Sequence, residues 1–222
     1  LDSKDLDIDL ELINKKGVEI AREAAGEKAF VLGDISSTGK LLKPYGEHEE
    51  SEFIEVYKEK AKILNETSTD AFIIETMVDI REAVTALKAC KKVSNLPVIV
   101  SISFDRVEQG GRTVMGNTVK QVVEALTAAG ADVIGTNCGS LSPQQMSEIV
   151  KMMRAETDLP IMVEPNAGQP KLKGEETIYD MQPEEFTAGV MECIEAGANI
   201  VGGCCGTSPA HIDALNKKLF GE

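Results

Sequence analysis

Six short apolar runs punctuate this chain, and each leads into a longer stretch whose apolar and charged residues recur at helical spacing. The runs are residues 29–35, 71–75, 97–104, 132–138, 160–166 and 198–201. The helical stretches cover 51–65, 80–93, 119–129, 143–156, 183–196 and 210–220. In 51–65 the apolar positions are Phe53, Val56, Tyr57, Ile63 and Leu64. A further helical stretch, 9–25, stands in front of the first run, with Leu10, Ile13, Val18, Ile20 and Ala21 roughly on one face and Gly26 as its stop. Repeated strand–helix alternation requires parallel strands joined by helical crossovers. Runs that are apolar on both faces suit strands covered on both sides. The polar segments 105–116 and 167–182 read as loops.

Two closures satisfy this pattern, an open doubly wound sheet or a (β/α)8 TIM-type barrel. No G-x-G-x-x-G follows an early strand, which weakens a dinucleotide-binding version. A barrel uses eight strands and about 250 residues. Six strands in 222 residues, behind an orphan helix, therefore read as an α/β barrel lacking its first two βα units, with the missing pieces expected upstream of Leu1. Residues 1–222 are expected to form one such N-terminally incomplete domain, with chain enough for one sizeable core.

The formal net charge of -14 argues against nucleic acid or an anionic membrane as partner, because phosphates call for Lys/Arg patches. No apolar run of about 18 residues occurs, so no membrane span is expected. The acidic opening 1–7 lacks the basic and apolar regions of a secretory signal, and a cytoplasmic location is expected. The five cysteines, Cys90, Cys138, Cys193, Cys204 and Cys205, are odd in number and thinly spread, unlike a disulfide framework. In a reducing compartment they serve as packing, metal ligands or nucleophiles.

In a parallel barrel every strand C-terminus reaches one rim, and that rim is where such folds do chemistry. The residues gathered there are Asp34, Glu75, Cys138, Asn166, Cys204 and Cys205. Cys204 and Cys205 lie within Gly202-Gly203-Cys204-Cys205-Gly206, where the glycines permit close backbone approach. Three cysteines from two strand ends suggest a thiolate site for Zn²⁺, which takes tetrahedral geometry and keeps one position open when it is catalytic. The plainer reading of the pair is two small buried residues in a tight turn. Cys90 and Cys193 fall inside amphipathic helices and read as packing. Glu75 is either a solvated acid or the partner of a substrate ammonium. Asn166 either caps a turn or lends its amide oxygen to an open metal position. His48 and His211 read as surface residues. Three thiolates on Zn²⁺ leave a net charge of about -1, a poor Lewis acid but a good acceptor of an ionised thiol. That favours alkyl transfer to sulfur over hydrolysis.

Asn137-Cys138, Val163-Glu164-Pro165-Asn166-Ala167-Gly168 and Gly202-Gly203-Cys204-Cys205-Gly206-Thr207 resemble the zinc-binding signature of the homocysteine S-methyltransferase family, most closely the homocysteine-binding barrels of cobalamin-dependent methionine synthases. Gly33-Asp34, Thr38-Gly39, Ile74-Glu75-Thr76 and Ser103-Phe104-Asp105 also resemble family segments. The resemblance covers nearly all of the chain. It implies that Cys138, Cys204 and Cys205 bind zinc and that homocysteine sulfur takes the fourth position. It implies that Glu75 holds the substrate amine and that Asn166 stands where a displaceable oxygen ligand binds. The implied reaction converts homocysteine to methionine. The implied donor is methylcobalamin on a partner corrinoid protein or domain, with betaine or S-methylmethionine as alternatives. The family's opening Asp-Gly-Ala strand and second Asn-Thr strand have no counterpart here, Ser36-Ser37 stands in place of Gly-Pro, and 139–143 is longer than the usual Leu-Gly-Pro.

Two other readings compete. A barrel lyase or aldolase with structural cysteines would want a rim lysine or a carboxylate–metal site, and no strand here ends on Lys. A non-catalytic zinc barrel that docks a corrinoid protein would keep the metal without turnover.

Overall fold

The computed structural model describes Asp9 to Gly221. The acidic opening segment 1–7 lies outside the described residues. Helix α1 (Leu10–Ala25) starts at Asp9, whose carboxylate accepts from the Leu12 N–H. Then follow β1 (Leu32–Ser36), α2 (Glu50–Asn65), β2 (Ala71–Met77), α3 (Ile80–Val93), β3 (Val98–Ile102), α4 (Val119–Ala129), β4 (Val133–Asn137), α5 (Pro143–Arg154) and β5 (Ile161–Glu164). A short hairpin, β6 (Lys171–Lys173) with β7 (Glu176–Ile178), leads to α6 (Pro183–Glu195), β8 (Ile200–Val201) and α7 (Pro209–Phe220).

Local chemistry sets the helix starts. Thr118 with Gln121 and Ser142 with Gln145 form reciprocal capping boxes on α4 and α5, and proline occupies the first turn of α5, α6 and α7.

The six main strands pair in parallel in the spatial order β1-β2-β3-β4-β5-β8, the same as their chain order and the one a barrel requires. Among the described residues β1 and β8 do not pair, so the sheet has two free edges. Alternation along each strand separates two faces. Ile35, Phe72, Ile74, Val98, Val100, Ile102, Ile134, Ile161 and Val163 turn outward and join the helices in the main core. Ile73, Ile99 and Met162, with Val133, form a small inner cluster. Above it on the same face, the register places Glu75 on β2, Asn137 on β4 and Glu164 on β5, with Asn137 opposite Glu164. This polar layer is the floor of the rim.

Several expectations are corrected. On α1 only Val18 is buried, while Ile13 and Ile20 are 51% and 66% exposed. Periodicity names the apolar face of a helix but not whether anything covers it. Val56 on α2 is likewise half exposed. Segment 167–182 is not plain loop but carries the β6–β7 hairpin, whose side chains are too exposed to leave an apolar signal. His211 is buried rather than on the surface: Nδ1 accepts from the Ser208 N–H, Nε2 reaches the Met181 carbonyl, and Phe186 packs edge-on to the ring. No helix among the described residues is long and apolar enough to cross a membrane.

Candidate metal centre

β4 ends at Asn137, and the chain then turns up sharply. Cys138 (φ 55°) and Gly139 (φ 72°) both adopt the left-handed region, which is uncommon for a residue bearing a side chain. A Cβ on residue 139 would lie 2.7 Å from the Phe104 carbonyl oxygen, so only glycine fits there. The Cys138 N–H donates to the Glu164 carbonyl at 3.2 Å, tying this loop to the end of β5.

The second cysteine loop follows β8. Gly202 N–H donates to the Val163 carbonyl at 3.1 Å and Cys204 N–H to that of Pro165 at 2.9 Å, which continues the strand pairing past the sheet. Ala167 N–H donates back to the Cys205 carbonyl at 2.9 Å. Thr207 closes the turn by donating its hydroxyl to the Cys204 carbonyl at 2.7 Å. A Cβ at Gly203 would overlap Thr207, and one at Gly206, with φ 79°, would overlap the Tyr179 ring.

Asn166 joins the two loops. Its Oδ1 accepts from the Cys205 N–H and its Nδ2 donates to the Gly139 carbonyl, both at 3.1 Å. The residue is buried. One lone pair of Oδ1 remains beyond the Cys205 contact.

The consequence is that Cys138, Cys204 and Cys205 present sulfurs that all lie within 4.8 Å of one another, with Cys138 and Cys205 at 3.8 Å. Metal–sulfur bonds of about 2.3 Å in a tetrahedron give sulfur–sulfur edges of about 3.8 Å, so the donor set fits Zn²⁺. Cys138 and Cys204 are half-buried and Cys205 is exposed, which leaves one side of the triad open to solvent. The neighbouring Cys204 thiol and then the Gly139 N–H bring Cys138 down to about 5, and the closeness of Cys138 holds Cys204 above the usual thiol range. By contrast, burial pushes the Cys90 and Cys193 thiols up to about 12. Those two are packing residues, as their helical positions indicated.

Two carboxylates share the inner face of the sheet with Asn137. Glu75 is half-buried, and its Oε2 accepts from Asn137 Nδ2 at 2.8 Å. Burial raises its pKa, and Asp34 and Cys138 add to the shift. Glu164 is raised to about 7, first by burial and then by Glu75. Asp34 sits on the free edge strand β1, exposed.

Residues 2–219 match the profile of the homocysteine S-methyltransferase family. The chain belongs to that family. Methionine synthase of Mycobacterium tuberculosis is 31% identical over 212 residues, 90% of this chain, and methionine synthase of Mycobacterium leprae is similar at 31% over the same length. The chain spans 17% of the length of each of these relatives. Among solved structures, the apo form of the homocysteine methyltransferase MmuM from Escherichia coli aligns with a TM-score of 0.77 over 96% of this chain and 77% of that one, at 20% identity. Its metallated form aligns with a TM-score of 0.75. Pyruvate carboxylase of Rhizobium etli shares the fold at a TM-score of 0.60 and 16% identity. At these identities the structural likenesses establish the family's barrel architecture, seen here as six of its strands.

Sequence reasoning left two residues of the site without a role. Asn137, buried at the centre of the polar layer, was legible only as part of a motif. Glu164 lies two residues before Asn166, and strand alternation would have placed it inward beside Asn137. Glu82 of α3 is a third omission. Its buried carboxylate accepts from Ser37 Oγ, Thr38 N, Thr38 Oγ1 and Tyr57 Oη, and so pins the loop after β1.

Proposed function

We propose that residues 1–222 act as the homocysteine-binding barrel domain of a zinc-dependent S-methyltransferase that forms methionine. Cys138, Cys204 and Cys205 would hold Zn²⁺. The metal, when bound, would supply an electron-rich centre on which an incoming thiol ionises at neutral pH. The reading is carried by one observation: three sulfurs from two distant loops converge at zinc-like spacing, with one side open to solvent. Glu75, held by Asn137 at the same mouth, would take the substrate ammonium. Asn166 would keep the two cysteine loops in register, and the second lone pair of its Oδ1 would serve an open metal position. The methyl donor would be a methylated corrinoid on a partner protein or domain, a reading supported by the likeness to methionine synthases. None of the six parallel strands ends on Lys, and no carboxylate cluster of metal-ligand spacing joins the triad among the described residues, which disfavours an aldolase or lyase.

The test is metal analysis followed by turnover. The purified full-length protein should contain one zinc per chain, which Cys204→Ser should lose, and with homocysteine and methylcobalamin it should yield methionine. A metal-free parent protein that folds normally would overturn the reading. Zinc binding without turnover, in the full-length protein, would leave only the docking role.

A further inference from the structure

Asn137 spends every polar atom of its amide inside the barrel. Oδ1 accepts from Thr76 N at 3.0 Å and from Ser101 Oγ at 2.7 Å. Nδ2 has two N–H groups for three acceptors, Glu75 Oε2 and Thr76 Oγ1, both at 2.8 Å, and Cys204 Sγ at 3.7 Å, so one N–H is shared. The amide orientation is fixed, because the Thr76 N–H can only donate and must therefore face Oδ1.

Thr76 is the unusual partner. It is β-branched yet has φ 58°, a region such residues rarely enter. The β2–β3 register shifts between Ile74 and Met77, which brackets Glu75 and Thr76. Bulges of this kind re-aim a side chain. Asn137 grips this one from both sides, by its N–H and by its hydroxyl, and the residue just before it is Glu75. The nitrogen that holds the hydroxyl also stands beside a sulfur of the metal triad.

We propose that Asn137 is a positioning residue that sets the Glu75 carboxylate and the Cys204 sulfur in one frame, so that a substrate carrying both thiol and ammonium is selected over a bare thiol. The inference rests on the zinc and ammonium roles proposed above. Its first part acts through the Thr76 bulge, which aims Glu75. Its second part acts through the shared N–H, whose weaker branch reaches the Cys204 sulfur and withdraws charge from it.

The full-length protein, loaded with Co²⁺ in place of zinc, reports both parts. Thiolate-to-cobalt absorption follows the titration of homocysteine and of the same thiol acid lacking its amine. Asn137→Ala should reduce the preference for homocysteine on the order of tenfold, the scale of one charge-assisted hydrogen bond. Glu75→Gln should do the same, and the double variant should fall no further than the worse single one, because both act through one contact. The charge-transfer band should move in Asn137→Ala and stay in place in Glu75→Gln. Ser101→Ala, which strips another partner from the same amide, should cost stability and leave preference and band alone. Thr76→Gly relaxes the left-handed residue and removes its hydroxyl, so it should keep or raise stability while lowering the preference.

Retained preference in Asn137→Ala or in Thr76→Gly, or additive losses in the double variant, would overturn the aiming role. An unmoved band in Asn137→Ala would overturn the sulfur contact. If Glu75→Gln itself keeps the preference, the ammonium assignment fails instead.

Discussion

Replacing Asn166 with Ala removes an amide that touches both cysteine loops. The Cys205 N–H and the Gly139 carbonyl, each 3.1 Å away, lose their partner. A buried backbone group left without a partner costs about 1–3 kcal/mol. Cys205 is exposed and Gly139 half-buried, so water restores part of each contact. The net destabilisation of the metal-free protein should therefore be about 2–3 kcal/mol. The fold should survive, because Cys138 N–Glu164 O, Cys204 N–Pro165 O and Ala167 N–Cys205 O remain. What is lost is the spacing of Cys138 relative to Cys205. Zinc affinity should drop about 10–100-fold, as for other outer-shell partners of metal ligands. Urea unfolding of the metal-free protein gives the first number and competition with a chelator the second. Asn166→Asp separates bracing from ligation. It keeps an acceptor for Cys205 N–H but sets a carboxylate oxygen against the Gly139 carbonyl, so a brace predicts affinity between parent and Ala. An oxygen whose main task is to ligate metal predicts that Asp matches or exceeds the parent. An Ala variant that binds zinc as tightly as the parent refutes the bracing argument, whatever its stability.

Three further outcomes follow from named contacts. Glu164 is raised to about 7 by burial and then by Glu75; a carboxyl with a raised folded-state pKa stabilises below its unfolded value and loses that contribution as pH climbs through the folded one. Metal-free Glu164→Gln should therefore match the parent near about pH 4 and exceed it by up to about 3 kcal/mol near pH 8; a pH-independent gap, read by unfolding across that range, counts against it. Glu82→Ala should cost about 3–5 kcal/mol in urea unfolding, since Ser37, Thr38 and Tyr57 lose a shared buried acceptor; a cost below about 1 kcal/mol, the range of an ordinary surface change, would show the carboxylate to be dispensable. Gly206→Ala combines a left-handed φ with overlap on the Tyr179 ring, so a loss of about 2–3 kcal/mol and weaker zinc binding are expected; parent-like thermal unfolding would show that the hairpin yields freely.

Most helix and strand positions were readable along the chain because the signals that set them are local. Ile80–Val93 and Val119–Ala129 coincide with their expected ranges, since Asp79 caps one and Thr118 with Gly130 bounds the other. The sequence carries no signal for the hairpin, because Leu172 is 82% exposed and its neighbours are polar, which leaves no apolar alternation. The sequence names an apolar face on α1, but of its residues only Val18 is buried, because burial depends on a neighbouring surface and not on helical period.

The sequence by itself determined the alternation, the parallel sheet that alternation forces, and the arrival of Cys138, Cys204 and Cys205 at one rim. Parallel strands share a direction, so strand-end residues meet whatever the details of packing. Only the tertiary structure decided which side chains bind one another there. Asn137 reaches Glu75, Thr76 and Ser101, and Asn166 reaches residues 139 and 205, across separations of 27 to 62 positions. Such contacts depend on register and on left-handed turns at Thr76 and Cys138, which no local preference for those residues would foretell.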